Sequence, residues 1–359
     1  MASTPPRATP PRATTSPRAT APEAASPEAA SSENATPAVP PTIEVDERAT
    51  ENDSTYGDEL TTFTSSLTSS IMDYRNENGR RYHAYRDGRY LIPNDEEEKE
   101  RLDMMHEMML TLMRRKLFLA PLEDSVGRVL DLGTGTGVWA MDFADQFPHA
   151  EVWGNDLSPI QPTYVPPNVK FIVDDFEDEW AYGDQKFDFI HARYLAVSVK
   201  DFAKLIRRCY ENTVPGGWVE FQDWDCVIYS EDGSTEGTSI KQYYEAVLPI
   251  MRQTGVEPGP GPKLEGWFRD AGFEDIHVEK FLMPMGAWPK DKRLKTLGAW
   301  NLVTAQSGFE ASAIAPLTRH GGWSKEEVKI LVAKTINDAR NPDIHGLFDF
   351  YVVYGRKPR

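Results

Sequence analysis

Between residues 128 and 224 the chain alternates short apolar runs with longer segments that have a helical period. The period changes from two to about 3.6 at each switch, which distinguishes strands from helices. Strands joined in this way by helices form a doubly wound, mostly parallel sheet with helices on both faces, and its ligands bind at the carboxyl ends of the strands. The predicted elements are strands at 128–132, 151–156, 169–175, 187–192 and 218–222, and helices from Val138 and over 200–213.

The flanking segments predict further helices and two more strands. Asn94 is placed to cap a helix with an apolar face, and the Pro-Gly-Gly run at 215–217 is predicted as the turn into the fifth strand. Beyond residue 224 we expect helices at 239–253, 262–271, 291–309 and 324–338, and strands at 276–281 and 346–354. The sequence therefore predicts a seven-stranded sheet with a helical insertion between the fifth and sixth strands.

Three alternating glycines follow the first of these strands. Gly133, Gly135 and Gly137 let the backbone turn sharply and approach a ligand without Cβ atoms in the way. The helix that begins at Val138 would present its free amide hydrogens to the same ligand. This stretch therefore predicts a binding loop.

Asp131 lies two positions before the first of these glycines and narrows the choice of ligand. A carboxylate there suits a cationic amino group and would repel a pyrophosphate. The spacing also lacks the third glycine of the dinucleotide fingerprint, which argues against a dehydrogenase. A ligand with an amino group, a ribose and no phosphate is S-adenosylmethionine.

Acidic residues end the second and third predicted strands. Asp156 follows the glycines by about twenty residues, where an acid takes ribose hydroxyls. Asp174 and Asp175 end the third strand; Asp175 is placed to accept from an adenine amino group, and Phe176 to cover the ring. We expect Asp131, Gly133, Gly135, Gly137, Asp156, Asp175 and Phe176 to bind the cofactor.

This order of motifs resembles the class I S-adenosylmethionine-dependent methyltransferases, and the wider pattern is similar to the fungal LaeA-like, or TAM-domain, methyltransferases. The segments that carry the wider resemblance are 78–95, 100–103 and 156–162, and the match runs from residue 78 to the C-terminus. The resemblance implies a Rossmann-like fold. It also implies that Tyr82 and Tyr90, in an N-terminal segment that closes over the cofactor, flank the methyl group; alternatively, they only pin that segment to the core.

Methyl transfer from a sulfonium needs alignment and exclusion of water more than a nucleophilic side chain. An oxygen or nitrogen acceptor is helped by a base, and His191 at the end of the fourth strand is the leading catalytic candidate. Alternatively, His191 only shapes the cofactor pocket. Asp223 and Asp225 are weaker candidates, and Trp288, Trp300 and Trp323 either line the acceptor pocket or are structural.

The composition of the N-terminal 70 residues differs from that of the rest of the chain, and the net charge limits which partners the protein can bind. Residues 1–70 are rich in Pro, Ala, Ser and Thr, which predicts a disordered tail, with a short docking helix at 61–71 as an addition. The net charge of −17 disfavours nucleic acid and anionic lipid. The two cysteines do not have the spacing of a metal site. We find no apolar run that could span a membrane and no secretory leader. We therefore expect the protein in the cytoplasm, with the nucleus as a second possible location.

Two hypotheses remain for residues 71–359, which we expect to be one methyltransferase domain. It would comprise an N-terminal lid and helix at 78–118, a cofactor-binding half at 128–224 and acceptor-side helices at 225–345. The first hypothesis is an enzyme that methylates an oxygen, nitrogen or carbon of a small molecule in fungal secondary metabolism. The second is a LaeA-like regulator that works through protein partners or on a protein acceptor.

Overall fold

A computed structural model describes residues 74–86, 89–180, 182–183 and 185–359. The predicted tail at 1–70 and docking helix at 61–71 lie outside these residues. The strands are β1 (Arg75–Glu77), β2 (Arg80–Tyr82), β3 (Arg128–Leu132), β4 (Glu151–Asp156), β5 (Val169–Val173), β6 (Phe187–Arg193), β7 (Thr213–Tyr229), β8 (Glu274–Pro284) and β9 (Leu347–Arg356). The helices are α1 (Glu96–Leu112), α2 (Val138–Gln146), α3 (Phe202–Asn212), α4 (Ser239–Gln253), α5 (Leu264–Ala271), α6 (Lys292–Arg319) and α7 (Lys325–Arg340), with a 3-10 turn at Gly261–Lys263.

Seven strands form one sheet in the order β5-β4-β3-β6-β7-β9-β8. The strands from β5 to β7 in this order are parallel, whereas β9 is antiparallel to both β7 and β8. The order reverses between β3 and β6, so a crevice opens there at the carboxyl ends of the strands. The predicted fold class, a doubly wound and mostly parallel seven-stranded sheet, is confirmed.

Helices cover both faces of the sheet, as burial of the central strands requires. Leu130 and Leu132 of β3 pack toward α3 and α5, while Val129 packs toward α2. These three side chains are fully buried, at 0% exposure. The parallel strands are therefore the core on which the loops of the crevice stand.

The acceptor-side helices belong to a separate apolar cluster. The helices α4 and α5 lie between β7 and β8, where the insertion was predicted, and α6 and α7 connect β8 to β9. Buried residues from α1, α4, α6 and α7 pack together over the end of β7. This helical layer lies beside the crevice, and α1 contributes side chains to the wall of the crevice.

The structure corrects three predicted boundaries. Asp95 caps α1 by accepting from the Glu98 N–H, in place of Asn94, whose amide instead donates to Ser158 Oγ. Helix α6 continues to Arg319, ten residues beyond the prediction, because its later residues are buried on most sides and show little periodicity. The 215–217 turn lies inside β7 as a bulge against β6.

Helix α7 begins with a capping box. Ser324 Oγ accepts from the Glu327 N–H, and the Glu327 carboxylate accepts from the Ser324 N–H.

Among the helices of the described residues, none combines the length and the apolar character that a membrane crossing requires.

Candidate active site

The glycine loop between β3 and α2 forms the floor of a cleft. Its three glycines have positive φ values of 65°, 58° and 83°, a region that favours glycine. Gly133 N–H donates to Asn155 Oδ1 at 3.2 Å and Thr134 N–H donates to Asn155 O at 2.8 Å, which ties the loop to β4. The loop is therefore held through its own backbone N–H groups, which donate to the side chain and the carbonyl of Asn155.

The three glycines are needed for different reasons. A Cβ at Gly137 would lie 2.3 Å from the Phe171 ring, and a Cβ at Gly133 would lie 2.6 Å from Leu195, so both positions are closed by packing. A Cβ at Gly135 would meet only Leu102 within 4 Å, at 3.5 Å. Gly135 therefore borders open space, and it is the glycine where a side chain would enter the cleft.

Asp131 is buried in the wall of the cleft, and both of its carboxylate oxygens are engaged. Oδ1 accepts from His191 Nδ1 at 2.7 Å, and Oδ2 accepts from Thr134 Oγ1 at 2.6 Å. Each carboxylate oxygen can accept a second hydrogen bond, so capacity for an amino group remains. The contacts fix the orientation of the carboxylate before any ligand binds.

His191 is almost completely buried, unlike a general base that lies open to its substrate. It is 1% exposed, and its ring stacks on Trp139 with centroids 3.7 Å apart and planes 4° from parallel. Burial lowers the pKa of His191, although the Asp131 carboxylate opposes that change. A neutral imidazole that donates through Nδ1 suits a positioning role toward Asp131.

Asp156 ends β4 and receives two backbone hydrogen bonds from the cleft floor. Its carboxylate accepts from Gly135 N–H and from Ser158 N–H, both at 2.9 Å. Burial raises the pKa of Asp156 to about 6. Gln161 Nε2 donates to Gly135 O at 2.7 Å and holds the loop from the other side.

Asp175 and Phe176 follow β5 at the edge of the same cleft. Arg89 from the N-terminal segment forms ion pairs with Asp175, at 3.2 Å, and with Glu177, at 2.7 Å. Asp175 also accepts from the Glu177 N–H at 2.9 Å. The N-terminal segment is thus fastened to the strand end where an adenine amino group was expected.

The cleft encloses about 1170 Å³, counted to its mouth. It is lined by eight of the ten predicted site residues, which are Tyr90, Asp131, Gly133, Gly135, Asp156, Asp175, Phe176 and His191. Gly137 is not in the lining because it packs on Phe171. Tyr82 is also absent from it: the ring is 1% exposed, with the Arg319 guanidinium 5.2 Å from its centroid.

A second cavity of about 810 Å³ adjoins this cleft. The two share Met105 and Tyr194 in their linings. Apolar and aromatic side chains dominate the rest of the second lining, which includes Met108, Trp224, Tyr243, Tyr244, Val247, Met251, Met285, Phe309 and Phe348. Trp288, Trp300 and Trp323 do not line it, and they pack in the protein instead. We call these two spaces the donor cleft and the acceptor cavity.

A buried ion pair stands where the two spaces meet. Arg101 donates to Glu98 through Nε at 2.8 Å and Nη2 at 2.6 Å, and its Nη1 has the Met105 sulfur at 2.8 Å. Glu98 lines the donor cleft, and Arg101 lines the acceptor cavity. Burial lowers the pKa of Arg101, but the Glu98 carboxylate outweighs it and the pKa stands well above its ordinary value.

Tyr194 was missed by the sequence analysis. It follows β6 with a φ of +59°, and Val197 nearby has a φ of +64°, both unusual for residues with a side chain. The Asp223 carboxylate holds this loop by accepting from Leu195 N–H, at 2.8 Å, and Ala196 N–H, at 2.9 Å. Neither Asp223 nor Asp225 lines the donor cleft or the acceptor cavity.

The donor cleft fits the chemistry of S-adenosylmethionine. Asp156 and Asp175 supply acceptors at adjacent strand ends for ribose hydroxyls and an adenine amino group, and Asp131 supplies one for an ammonium group. Gly135 leaves room at the floor. No group of three or more His, Cys, Asp or Glu side chains within the described ranges is placed to hold a metal ion.

Comparison with known proteins agrees with this chemistry. A family model described as a methyltransferase domain matches residues 104–278. Methyltransferase pytC of Aspergillus terreus is 43% identical over 295 residues, which are 82% of this chain and 91% of that protein.

Two further relatives carry the name laeA. The secondary metabolism regulator laeA of Aspergillus fumigatus is 35% identical over 286 residues, 79% of this chain and 76% of that protein. The protein-methionine methyltransferase laeA of Emericella nidulans is 32% identical over 297 residues, 82% of this chain and 79% of that protein. The chain therefore belongs to the LaeA-like family of class I methyltransferases, enzymes that use S-adenosylmethionine as methyl donor.

Proposed function

We propose that this methyltransferase transfers the donor's methyl group to an oxygen atom of a small, largely apolar molecule in fungal secondary metabolism. The acceptor cavity carries the proposal. It adjoins the donor cleft at Met105 and Tyr194, and it is a concave, mostly apolar space of the kind that binds small molecules. An apolar lining favours a ring-containing or hydrocarbon acceptor over a charged metabolite.

Arg101 supports oxygen as the acceptor atom. Its Nη1 donates to the Met105 thioether, which is a weak acceptor. An acceptor oxygen in the cavity would make a stronger hydrogen bond with the same N–H. The charge that Glu98 maintains on Arg101 would also stabilise an acceptor hydroxyl as its anion, which is the more reactive form.

The protein's work in this reaction is alignment and exclusion of water. When bound, S-adenosylmethionine supplies an electrophilic methyl group on a sulfonium that leaves as a neutral thioether. The acceptor hydroxyl releases its proton to solvent, and its oxygen forms the new bond to the methyl carbon as the bond between that carbon and sulfur breaks. His191 holds Asp131 in place, Tyr194 walls the junction, and Arg101 orients the acceptor oxygen.

The alternative is a regulator that acts on a protein or through protein partners. It is favoured by the relatives named as secondary metabolism regulators, which are 32–35% identical to this chain, and by the relative named as a protein-methionine methyltransferase. Under this alternative the acceptor cavity would receive one side chain of a partner protein. We place the small-molecule reaction in the cytoplasm, and the regulatory alternative would require the nucleus.

The test supplies the purified chain with methyl-labelled S-adenosylmethionine and two acceptor pools from a fungal strain that lacks the gene. One pool is the small-molecule extract and the other is the protein extract. We expect the label in a small molecule, recovered by mass spectrometry as an O-methyl product. Label in protein alone would support the regulatory alternative and overturn the proposal.

Two glycine variants connect this result to the acceptor cavity. Gly308 lines the cavity from α6, and a Cβ there would meet Arg101 at an ordinary 3.5 Å. Gly308→Leu should therefore fill the cavity and abolish product while calorimetry still detects donor binding. Gly266→Leu on α5, where a Cβ would meet nothing within 4 Å, is the matched control and should leave both unchanged.

A further inference from the structure

Arg193 is a second arginine in the lining of the donor cleft, and its environment differs from that of Arg89. Arg89 is paired with the carboxylates of Asp175 and Glu177. Arg193, the last residue of β6, forms no ion pair with any carboxylate among the described residues. A guanidinium that is partly removed from water without an anion is costly, so a partner for its charge is expected.

The contacts of Arg193 hold it in place without neutralising it. Nη2 lies 2.9 Å from His106 Nδ1, and His106 Nε2 lies 3.0 Å from Asp142 Oδ2. An arginine can only donate, so His106 Nδ1 accepts and its Nε2–H donates to Asp142. A neutral imidazole therefore orients the guanidinium.

One nitrogen of Arg193 remains without a hydrogen-bond partner. Nη1 is buried, and within the described residues it has none. Burial lowers the pKa of Arg193 to about 10, while Asp131 and Asp142 oppose that change, so the group is still positively charged at neutral pH. This positively charged donor without a partner calls for an acceptor from a ligand, and an anion suits it best.

The position of Arg193 indicates which anion it would bind. It follows His191 on β6 by two residues, so it shares a face of the sheet with the pair of His191 and Asp131. The donor's amino acid end carries an ammonium and a carboxylate on one carbon. We infer that Arg193 binds the α-carboxylate of S-adenosylmethionine beside Asp131, which receives the ammonium.

The test compares S-adenosylmethionine with decarboxylated S-adenosylmethionine, which differs only by that carboxylate. Calorimetric titration of the full chain should show that the decarboxylated compound binds about 10- to 100-fold more weakly, the range for one charge-assisted hydrogen-bonding contact. In Arg193→Gln the affinity for S-adenosylmethionine should fall by the same factor. The two compounds should then bind with nearly equal affinity.

Arg89→Gln is the matched control, because Arg89 lines the same cleft but is already paired with carboxylates. It should change the affinities for both compounds alike and preserve their ratio. An unchanged ratio in Arg193→Gln, or equal binding of both compounds to the wild-type chain, would overturn the inference. If Arg193→Gln does not fold, Arg193→Lys retains the charge without the planar fork and should still reduce the ratio.

Discussion

The donor cleft and the acceptor cavity meet at two side chains but are built in different ways. The floor of the donor cleft is backbone: a glycine loop bonded to β4, with short carboxylates at the ends of parallel strands. The acceptor cavity is enclosed by long side chains from α1, α4, α6 and β7. One site is thus defined by main-chain geometry and the other by the identity of side chains.

This difference determines which substitutions each site tolerates. A backbone site fails when a single Cβ changes the loop, while most exposed side chains around it can vary. A site of packed side chains can change its ligand through substitutions that leave the fold intact. The same fold can therefore keep one donor while its acceptor changes.

Gly135→Arg should break the donor cleft alone and give the largest effect. The residue has a φ of +58°, which a side chain adopts at a cost of about 1–2 kcal/mol, and the new side chain would occupy the cleft. We expect loss of donor binding by more than about 1000-fold in calorimetry. The thermal unfolding midpoint should fall only slightly, because the Cβ meets nothing closer than 3.5 Å. Retained binding would show that the loop is not the donor site.

Glu98→Gln should disturb both spaces at once. It leaves the Arg101 guanidinium buried without its carboxylate, which typically costs about 3–5 kcal/mol of unfolding free energy in urea titrations. Glu265→Gln on α5 breaks a pair whose side chains are 65% and 49% exposed, so it should cost less than about 1 kcal/mol. Equal effects of the two variants would contradict a structural role for the buried pair.

Asp156→Asn tests the electrostatics of the donor cleft. Because its pKa is raised to about 6, the carboxylate becomes ionised, and so a better acceptor for ribose hydroxyls, as pH rises through that value. Donor affinity of the wild-type chain should increase from about pH 5 to pH 7 and then level off. Asp156→Asn should bind about 10- to 100-fold more weakly near neutral pH, without this dependence.

The raised pKa of Asp156 has the opposite effect on the stability of the fold: stability falls, rather than rises, with pH. A carboxyl whose pKa is higher in the folded state stabilises the fold at low pH, and that contribution is lost as pH rises through about 6. The unfolding free energy of the wild-type chain should therefore lose this contribution between about pH 4 and pH 6, whereas Asp156→Asn, which has no titrating carboxyl here, should not show that loss. The same pH dependence of stability in both chains would refute the assignment.

The donor half could be predicted because its signals are local. An apolar run, three glycines and an acid at a strand end are contiguous in sequence, so Asp131 and Asp156 were placed in one cleft. Gly137 of the same motif does not line the cleft, and its close contact with Phe171 on another strand could not be predicted from the motif.

The acceptor half could not be predicted in this way. Its cavity joins residues such as Arg101, Tyr194 and Phe309, which are far apart in sequence and follow no spacing rule. The positive φ of Tyr194 gives no signal in its residue type. Tyr82 and Tyr90 are equally aromatic, and only the β1–β2 hairpin decides that the first packs beneath Arg319.

Ser324→Ala should have the smallest effect and separates stability from binding. It removes the side chain that caps α7, a helix that lines neither the donor cleft nor the acceptor cavity. We expect the unfolding free energy to fall by about 1 kcal/mol, with donor affinity unchanged in calorimetry. Ser324→Thr retains the capping hydroxyl and should lose less. A change in donor affinity with Ser324→Ala would mean that the helical layer and the glycine loop are coupled, and that the two sites are not built independently.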